Sequence, residues 1–503
     1  MTLALHKWID EAEQLHGSRR ALEDAEMHLT YSQLADVSRR WATVLRDHGV
    51  RRGDRVMLIL PNSVDVLICC YAASRLGATF VVINPEMKPF HVSHVLENAA
   101  PTLVIAAQPP AKITRCGFLS LRLLRFAGDA AAPLCAPWPS ISSDPACLVY
   151  TSGTTSMPKG VVEPHKSILF AVDAINAVLQ IRKEDVIGCF LPLSFDYGLY
   201  QAFLAASTGA CLVVGDPGQV GPMLPTHLKA RGITVLPLVP SMASVLVRLA
   251  VRSANSIAPG LRMITNTGAA LPARMIDDLR NALPEADVFS MFGLTECKRT
   301  TIMRPEEFDG HRESVGRALP DTECFVVDGN GEPLPPGEVG ELVVRGPHVM
   351  QGYWRASAES SLRFRSFGEA LEIALFTGDQ CYLDEDGYLY FEGRLDDIYK
   401  QNGYRVSALE IEAAAREVAI VAEAVVLAPD GQEPAALVVI TDQHNVQARE
   451  VVYEVTTGLR ARLEEAKLPR RVEILDRLPL STNGKVDRGA VRALLNDARG
   501  REK

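Results

Sequence analysis

A segment with the letters TSGTTSMPKG, residues 151–160, concentrates groups that bind anions. Four hydroxyls, from Thr151, Ser152, Thr154 and Thr155, surround Gly153, and the ammonium of Lys159 follows closely. Backbone N–H groups, hydroxyls and an ammonium can each donate to a phosphate oxygen. The Walker pattern G-x-x-x-x-G-K-[ST] occurs nowhere in the chain. The segment therefore favours a phosphate loop of another kind, although a polar turn would have a similar composition.

The loop and several later segments resemble, in order and spacing, the superfamily of acyl-CoA ligases, nonribosomal peptide adenylation domains and luciferases. The family loop reads TSGTTGxPKG, and this chain has Ser156 where glycine is usual. Because a non-glycine residue is penalised at positive φ, we expect this departure to tune loop mobility without loss of function. The resemblance runs from Leu29 to Lys485. It implies an ATP-dependent ligase that activates a carboxylic acid as its acyl-AMP and passes the acyl group to a thiol.

The segment FGLTE, residues 292–296, resembles the aromatic-GxTE motif of this family. The resemblance implies that Phe292, followed by Gly293, stacks on adenine and that Thr295 touches the α-phosphate. It also implies that Glu296 helps to hold Mg²⁺. A carboxylate beside a triphosphate makes physical sense with a cation between them, so ATP and Mg²⁺ are the expected cofactors.

Three further segments resemble the family's adenosine contacts. Gly268, Ala269 and Ala270 match the stretch that lines adenine, where small residues let a flat ring approach the backbone. Asp379, in a Thr-Gly-Asp segment, matches the residue that accepts from both ribose hydroxyls. Arg394 matches a residue that also lies near the ribose.

Lys485 stands in the segment LSTNGKVD, residues 480–487. Taken alone, it is a lysine after an Asn-Gly turn, and such lysines are usually exposed. In the family, the matching lysine bridges the substrate carboxylate and the α-phosphate. A carboxylate that attacks a phosphate is an anion meeting an anion, so a mobile cation must neutralise both and hold them in line. Lysine suits this role as a compact charge on a long stem.

The resemblance also implies a second conformation for thiol transfer. The C-terminal domain of the family rotates about a hinge, which matches residues 394–397 here with Asp396 at its centre. After the rotation, another face of that domain, which includes Lys400, meets the active site. Motion about one or two backbone positions is ordinary hinge behaviour.

The segment LPLSFDYGLY, residues 191–200, bears on which class of carboxylic acid is the substrate. Many fatty and aryl acid ligases have an aromatic-His pair here, whereas Phe195 and Asp196 resemble the Phe-Asp of amino-acid adenylation domains and of D-alanine–carrier-protein ligases. In those families the aspartate holds the substrate ammonium. An aspartate in a largely apolar pocket predicts a cationic partner, although Asp196 could instead cap a helix. Tyr197 and Ser290 are expected to line the same pocket.

Gly198 replaces the serine of the family's Phe-Asp-x-Ser. The replacement leaves room for a differently placed amine, as in the β-amino-acid ligases of macrolactam pathways, which the segments FDYG and FGLTECK also resemble. No G-x-D-S-x phosphopantetheine signature occurs, so the thiol is expected in trans, on a separate carrier protein or on CoA.

Three hypotheses follow. The leading one is a stand-alone ligase that loads an amino acid, α or β, onto a carrier protein. The second is an acyl- or aryl-CoA ligase for an amine-free acid, with a structural Asp196. The third is a non-catalytic nucleotide-binding relative, which the joint retention of Lys485, Glu296, Asp379 and Lys159 argues against.

The elements that must position these residues follow from hydrophobic periodicity. Short apolar runs alternate with helical patterns, which predicts βα units, a largely parallel sheet and an α/β fold. The expected strands are residues 55–60, 79–83, 103–106, 210–214 and 233–238, and an expected helix is 63–76. From residue 321, short strands and turn signals predict a β-rich subdomain. After residue 396, the order helix, strand, strand, helix predicts a small α+β unit.

The expected organisation is an N-terminal adenylation domain at 1–393, the hinge at 394–397 and a mobile C-terminal lid domain at 398–503. A chain of 503 residues exceeds the size of one hydrophobic core. The net charge of −9 argues against a nucleic-acid binder. The ten cysteines form no C-x-x-C pair, which argues against zinc and a disulfide framework. The N-terminal segment carries charges too early for a signal peptide, and no apolar run reaches 18 residues. We therefore expect a cytoplasmic protein without a membrane span.

Overall fold

The structure, a computed structural model, describes residues 4–110, 116–151, 157–253, 257–367, 372–394, 398–401, 404–429, 434–441, 446–463, 465–481 and 486–501. The chain forms two compact units. The first contains Met1–Cys324 and Val344–Phe376, and the second contains Phe325–Val343 and Thr377–Lys503.

The strands up to residue 318 are β1 (Arg20–Glu23), β2 (His28–Thr30), β3 (Arg55–Ile59), β4 (Thr79–Ile83), β5 (Leu103–Ala106), β6 (Gly117–Ser120), β7 (Pro145–Thr151), β8 (Lys159–Pro164), β9 (Val186–Cys189), β10 (Cys211–Val214), β11 (Val235–Leu238), β12 (Met263–Asn266), β13 (Asp287–Phe292), β14 (Thr301–Met303) and β15 (Arg317–Ala318). The later strands are β16 (Glu323–Val327), β17 (Gly340–Arg345), β18 (Phe364–Ser366), β19 (Ile373–Leu383), β20 (Leu389–Arg394), β21 (Ile398–Gln401), β22 (Tyr404–Ser407), β23 (Glu423–Leu427), β24 (Ala436–Ile440) and β25 (Arg471–Ile474).

The helices are α1 (His6–His16), α2 (Tyr31–Asp47), α3 (Val64–Arg75), α4 (Pro89–Ala99), α5 (Leu121–Ala130), α6 (His165–Leu179), α7 (Asp196–Thr208), α8 (Leu224–Arg231), α9 (Pro240–Val251), α10 (Ala273–Ala282), α11 (Ser357–Arg363), α12 (Ala408–Arg416), α13 (Ala448–Arg460) and α14 (Arg488–Arg501).

The larger sheet of the first unit joins nine strands of the described chain in the order β15-β14-β13-β12-β11-β9-β10-β1-β2. The strands from β13 to β1 in this order are mutually parallel. Strands β9 to β12 are buried along their whole length. Strands covered on both faces read as continuous apolar runs, which is the pattern seen in this part of the sequence.

A second sheet in the first unit has the order β6-β5-β3-β4-β7-β8 among the described residues. Neighbouring strands pair in parallel from β6 to β7, and β8 pairs antiparallel with β7 at one edge. Helix α3 is buried at every residue, so it runs through the interior. Helix α2 begins with a capping box, in which Thr30 and Gln33 satisfy each other's backbone N–H groups.

The second unit contains the turns and the small α+β region that the sequence predicts. Residues 384–387 turn between β19 and β20, with the N–H of Gly387 donating to the carbonyl of Asp384 at 3.1 Å. Strands β23, β24 and β25 form one sheet, on which α12 and α13 pack through buried side chains such as Ile411 and Val455.

The predicted α/β fold class is confirmed, and the expected strands at 55–60, 79–83 and 103–106 are β3, β4 and β5. The proposed division at residues 394–397 stays a prediction, since 395–397 lie outside the described residues. Within the described part of the chain, no helix is both long enough and apolar enough to cross a bilayer.

Candidate active site

The predicted phosphate loop connects β7 to β8 at the edge of the second sheet. Thr151 ends β7 directly opposite Lys159, which begins β8. An antiparallel hairpin thus brings the two ends of the loop together. The predicted residues Ser152, Gly153, Thr154 and Thr155 lie outside the described residues, so their contacts with phosphate stay a prediction.

The parallel strands β9, β12 and β13 carry the other candidate segments beyond their carboxyl ends. Asp196 follows β9, the adenine segment Gly268, Ala269 and Ala270 follows β12, and Phe292 and Gly293 end and follow β13. Strands β12 and β13 are paired in parallel, with Asn266 opposite Ser290. Carboxyl ends of parallel strands meet at one edge of a sheet, which is where α/β folds bind ligands.

The adenine segment presents little side chain at this edge. Ala269 and Ala270 are exposed, and Gly268 has a φ of 88°. The side-chain amide of Asn266 donates to the carbonyl of Ala269 at 3.2 Å, which anchors the segment to β12. An exposed backbone with only methyl side chains suits the approach of a flat ring.

The motif at residues 292–296 folds into a tight turn after β13. A Cβ at Gly293 would stand 1.8 Å from the carbonyl oxygen of Lys298, so a side chain does not fit there. The N–H of Lys298 donates to the carbonyl of Leu294 at 2.6 Å, and Lys298 has a φ of 61°. This left-handed residue ends the turn, and Thr295 within it is half-buried.

Glu296 lies in this turn with 8% of its surface exposed, and Tyr353 donates to its Oε1 at 2.6 Å. The described residues contain no cluster of three His, Cys, Asp or Glu that could hold a metal by itself. Mg²⁺ in nucleotide sites is usually bound by one or two carboxylates together with substrate phosphates. A single oriented carboxylate therefore fits the expected Mg²⁺, which would supply charge neutralisation to the triphosphate.

Asp196 is the first residue of α7, and Phe195 precedes it at the N-cap. Asp196 is therefore not the N-cap residue itself, and it lies in the first turn, where the helix dipole favours an acidic side chain. It is 4% exposed, and its carboxylate lies 3.5 Å from the ammonium of Lys298. A buried carboxylate needs such a cation or a full set of hydrogen bonds.

The Lys298 ammonium is shared between two carboxylates. Its closer partner is Glu163, which is fully buried and also accepts from the hydroxyl of Tyr200 at 3.1 Å. Burial opposes the charged form of Lys298, but the attraction of Glu163 and Asp196 outweighs it and raises the lysine pKa. Burial in turn raises the pKa of Glu163, against the effect of Lys298.

Arg299 adds a second buried cation. Its guanidinium carbon lies 4.6 Å from the ring centroid of Tyr197. Within the described part of the chain, its Nε has no hydrogen-bond partner. Burial lowers the pKa of Arg299, while the nearby Asp196 raises it. An arginine nonetheless stays charged in proteins, so an anionic partner is favoured here.

The other predicted pocket residues are placed as follows. The hydroxyl of Tyr197 donates to the carbonyl of Thr265 at 2.8 Å, so this end of the side chain is held by β12. Phe195 packs edge-on against Tyr197, and Ser290 is buried in β13. A Cβ at Gly198 would stand 2.3 Å from the carbonyl oxygen of Pro192, so this backbone does not admit the serine of the related motif.

The predicted ribose contacts lie in the second unit. Asp379 in β19 stands opposite Arg394 in β20, and the Nε of Arg394 lies 3.1 Å from the Asp379 carboxylate. Lys400 lies in β21 opposite Arg405. Asp396 and Lys485 lie outside the described residues, so the hinge and the catalytic lysine stay predictions.

Comparison with known proteins identifies the family. Residues 9–354 match the model of the AMP-binding enzyme family, and residues 410–485 match the AMP-binding enzyme C-terminal domain. The chain belongs to the AMP-binding enzyme family. It is therefore an AMP-forming acid–thiol ligase that uses ATP to adenylate a carboxylic acid.

Two curated relatives of this AMP-binding enzyme cover most of the chain. A 4-coumarate–CoA ligase-like protein, number 4 of Oryza sativa subsp. japonica, is 31% identical over 94% of this chain and 90% of its own length. A linear gramicidin synthase protein of Brevibacillus parabrevis is 29% identical over 98% of this chain, which spans only 6% of that much longer protein.

Among solved structures, VinN is 40% identical with a TM-score of 0.72, over 78% of this chain and 98% of that one. A complex of VinN with L-aspartate is 39% identical with a TM-score of 0.71 over the same shares.

Four residues of this region were not predicted from the sequence. Tyr353 follows Gly352 outside the segments discussed above, and Glu163 lies four residues after the phosphate-loop lysine without a motif of its own. Lys298 and Arg299 directly follow the FGLTE motif and Cys297. Two consecutive basic residues between two apolar strand patterns are a sequence signal for buried cations.

Proposed function

We propose that this AMP-binding enzyme activates an amino acid, α or β, and transfers it to the phosphopantetheine thiol of a separate carrier protein. The proposal rests on the proposed ammonium contact of Asp196. The alternative remains an acyl- or aryl-CoA ligase that acts on an amine-free acid.

The observation that carries the proposal is the incomplete pairing of Asp196. Within the described part of the chain, its carboxylate accepts no hydrogen bond, and its one ion pair, to Lys298, is 3.5 Å long. Lys298 itself is held closely by Glu163. Buried carboxylates normally have several donors, so a nearly buried one with a single distant cation suits an ammonium that arrives with the substrate.

The charges around Asp196 favour an amino acid with a second carboxylate. Glu163 and Asp196 are balanced by Lys298 and Arg299, so a lone ammonium would add an unbalanced charge to a buried site. A second carboxylate near Arg299 would restore the balance. The complex of VinN with L-aspartate, a relative at 39% identity, makes aspartate-like acids the first candidates.

In the proposed reaction, the substrate carboxylate attacks the α-phosphorus of ATP, and the bond to pyrophosphate breaks. Lys485 neutralises the two anions, while Thr295 and Lys159 donate to phosphate oxygens. Phe292 and the segment at 268–270 hold adenine, and Asp379 holds the ribose. The thiol then attacks the acyl carbon, and AMP leaves.

The test is ATP–pyrophosphate exchange over a panel of α-amino, β-amino and amine-free acids, each with and without a second carboxylate. Exchange that requires the amine supports the proposal. Equal or better exchange with amine-free acids would support the CoA ligase. Thioester formation with CoA and with a phosphopantetheinylated carrier protein, followed by mass spectrometry, then decides the acceptor.

A further inference from the structure

Tyr353 contacts two residues that belong to the proposed triphosphate site. Its hydroxyl donates to Oε1 of Glu296 at 2.6 Å, and the ammonium of Lys159 lies 5.4 Å from its ring centroid. The side chain is 8% exposed and packs edge-on against Phe364 at 5.6 Å between centroids. One phenol thus meets both a carboxylate and a cation of the site.

The backbone around Tyr353 holds this side chain in place from two directions. The N–H of Trp354 donates to the carbonyl of Gly160 at 2.7 Å, and the N–H of Val162 donates to the carbonyl of Gly352 at 2.9 Å. The N–H of Met350 donates to the carbonyl of Glu296 at 2.9 Å. Residues 350–354 therefore connect β8, which follows the phosphate loop, with the turn that carries Glu296.

The O–H···O distance of 2.6 Å is that of a charge-assisted hydrogen bond to an ionised carboxylate. Such a bond fixes one oxygen of Glu296 and leaves the other free to face a cation. The ring face also attracts the Lys159 ammonium, which is ordinary cation–π geometry. Without the phenol, Glu296 would have to be oriented anew each time the nucleotide binds.

We propose that Tyr353 is a positioning residue for adenylation. Its hydroxyl orients Glu296 toward nucleotide-bound Mg²⁺, and its ring orients Lys159 toward the phosphates. This inference rests on the proposed role of Glu296, but it does not depend on which acid is the substrate.

Tyr353→Phe removes the hydroxyl and keeps the ring. The readout is ATP affinity by calorimetry, without Mg²⁺ and with saturating Mg²⁺. We expect the gain in affinity that Mg²⁺ provides to fall roughly five- to tenfold, because a hydrogen bond to a charged group is lost, while affinity without Mg²⁺ is unchanged. The Mg²⁺ concentration for half-maximal pyrophosphate exchange should rise. Tyr390→Phe is the matched control, since it removes a phenol–carboxylate hydrogen bond to Asp384, in the β19–β20 hairpin.

Glu296→Gln tests the role of Glu296 toward Mg²⁺ separately from the role of Tyr353. If Glu296 serves Mg²⁺, this variant loses the Mg²⁺-dependent gain, and adding Tyr353→Phe to it changes nothing further. Additive losses in the double variant, or a normal Mg²⁺ response of Tyr353→Phe, would overturn the positioning role. A normal Mg²⁺ response of Glu296→Gln would remove the premise and the inference together, while leaving the amino-acid proposal intact. Melting temperatures of all variants show whether a loss reflects folding.

Discussion

The ammonium of Lys298 lies 3.5 Å from the carboxylate of Asp196 while it makes its closer ion pair with Glu163. The residue chosen from the sequence as the receptor of a substrate amine therefore already has a cation beside it. That cation is shared, so Asp196 is partly neutralised and incompletely bonded. A substrate ammonium would join an existing charge cluster instead of entering an apolar pocket with one isolated carboxylate.

Asp196→Ala should reduce activity with amino acids and spare the matched acids without an amine. Removing one partner of a buried ion pair costs about 3–5 kcal/mol, or roughly two to four decades in kcat/KM. The measurement is pyrophosphate exchange with matched amino and des-amino acids, beside thermal unfolding. Parallel losses for both kinds of acid, with a lower melting temperature, would assign Asp196 a structural role.

Lys298→Met should destabilise the first unit strongly. It leaves Glu163 and Asp196 buried without their shared cation, which costs on the order of 3–5 kcal/mol. Urea unfolding measures the loss. The double variant, Lys298→Met with Glu163→Gln, should lose less free energy of unfolding than the sum of the two single variants. Each single variant leaves one charge of the pair buried without its partner, whereas the double variant removes both charges. Additive costs would show that the pair is not coupled.

Lys485→Ala should abolish adenylation and leave transfer from preformed acyl-AMP largely intact. The lysine is expected to act only where two anions meet, in the first half-reaction. Single-turnover assays with synthetic acyl-AMP measure each step separately. An equal loss in both steps contradicts the assignment.

Asp396→Pro should impair thioester formation and spare adenylation, which is the reverse of the effect expected for Lys485→Ala. Proline fixes φ and should trap one orientation of the predicted C-terminal domain. We expect pyrophosphate exchange to survive and thioester formation to fall. Normal rates in both half-reactions would contradict the predicted hinge.

His348→Leu should make stability less sensitive to acid. Burial lowers the pKa of His348 from its ordinary 6.5 to about 4, and within the described part of the chain neither ring nitrogen has a hydrogen-bond partner. Between these values the unfolded chain binds the proton and the folded chain does not, so stability falls as the pH falls from 6.5 toward 4. The loss at the acid end is about 3 kcal/mol.

The melting temperature between pH 7 and pH 4.5 tests this expectation. His348→Leu should flatten the acid side of the curve, although His6 and His165, whose pKa values burial also lowers, to about 3 and about 4, retain their share. Replacement of the exposed His28 by leucine is the control. An unchanged pH dependence in His348→Leu would show that the buried imidazole is not responsible.

The sequence by itself determined the class of fold and the location of the candidate segments along the chain. Continuous apolar runs such as residues 79–83 predicted buried parallel strands, because local periodicity reflects which faces are covered. In the structure, the loop at 151–160 follows one strand, and Phe292 ends another. These are local properties, and neighbouring residues suffice to show them.

Only the tertiary structure decided which charges meet. Lys298 and Glu163 are 135 residues apart, and Tyr353 and Glu296 are 57 apart. Their contacts depend on strand order and, for Lys298, on its own left-handed backbone conformation at the end of the turn. A lysine after a polar motif is usually solvated, so no local pattern predicts its burial between two carboxylates. Long-range packing fixes that pairing, and with it the electrostatics of the proposed amine site.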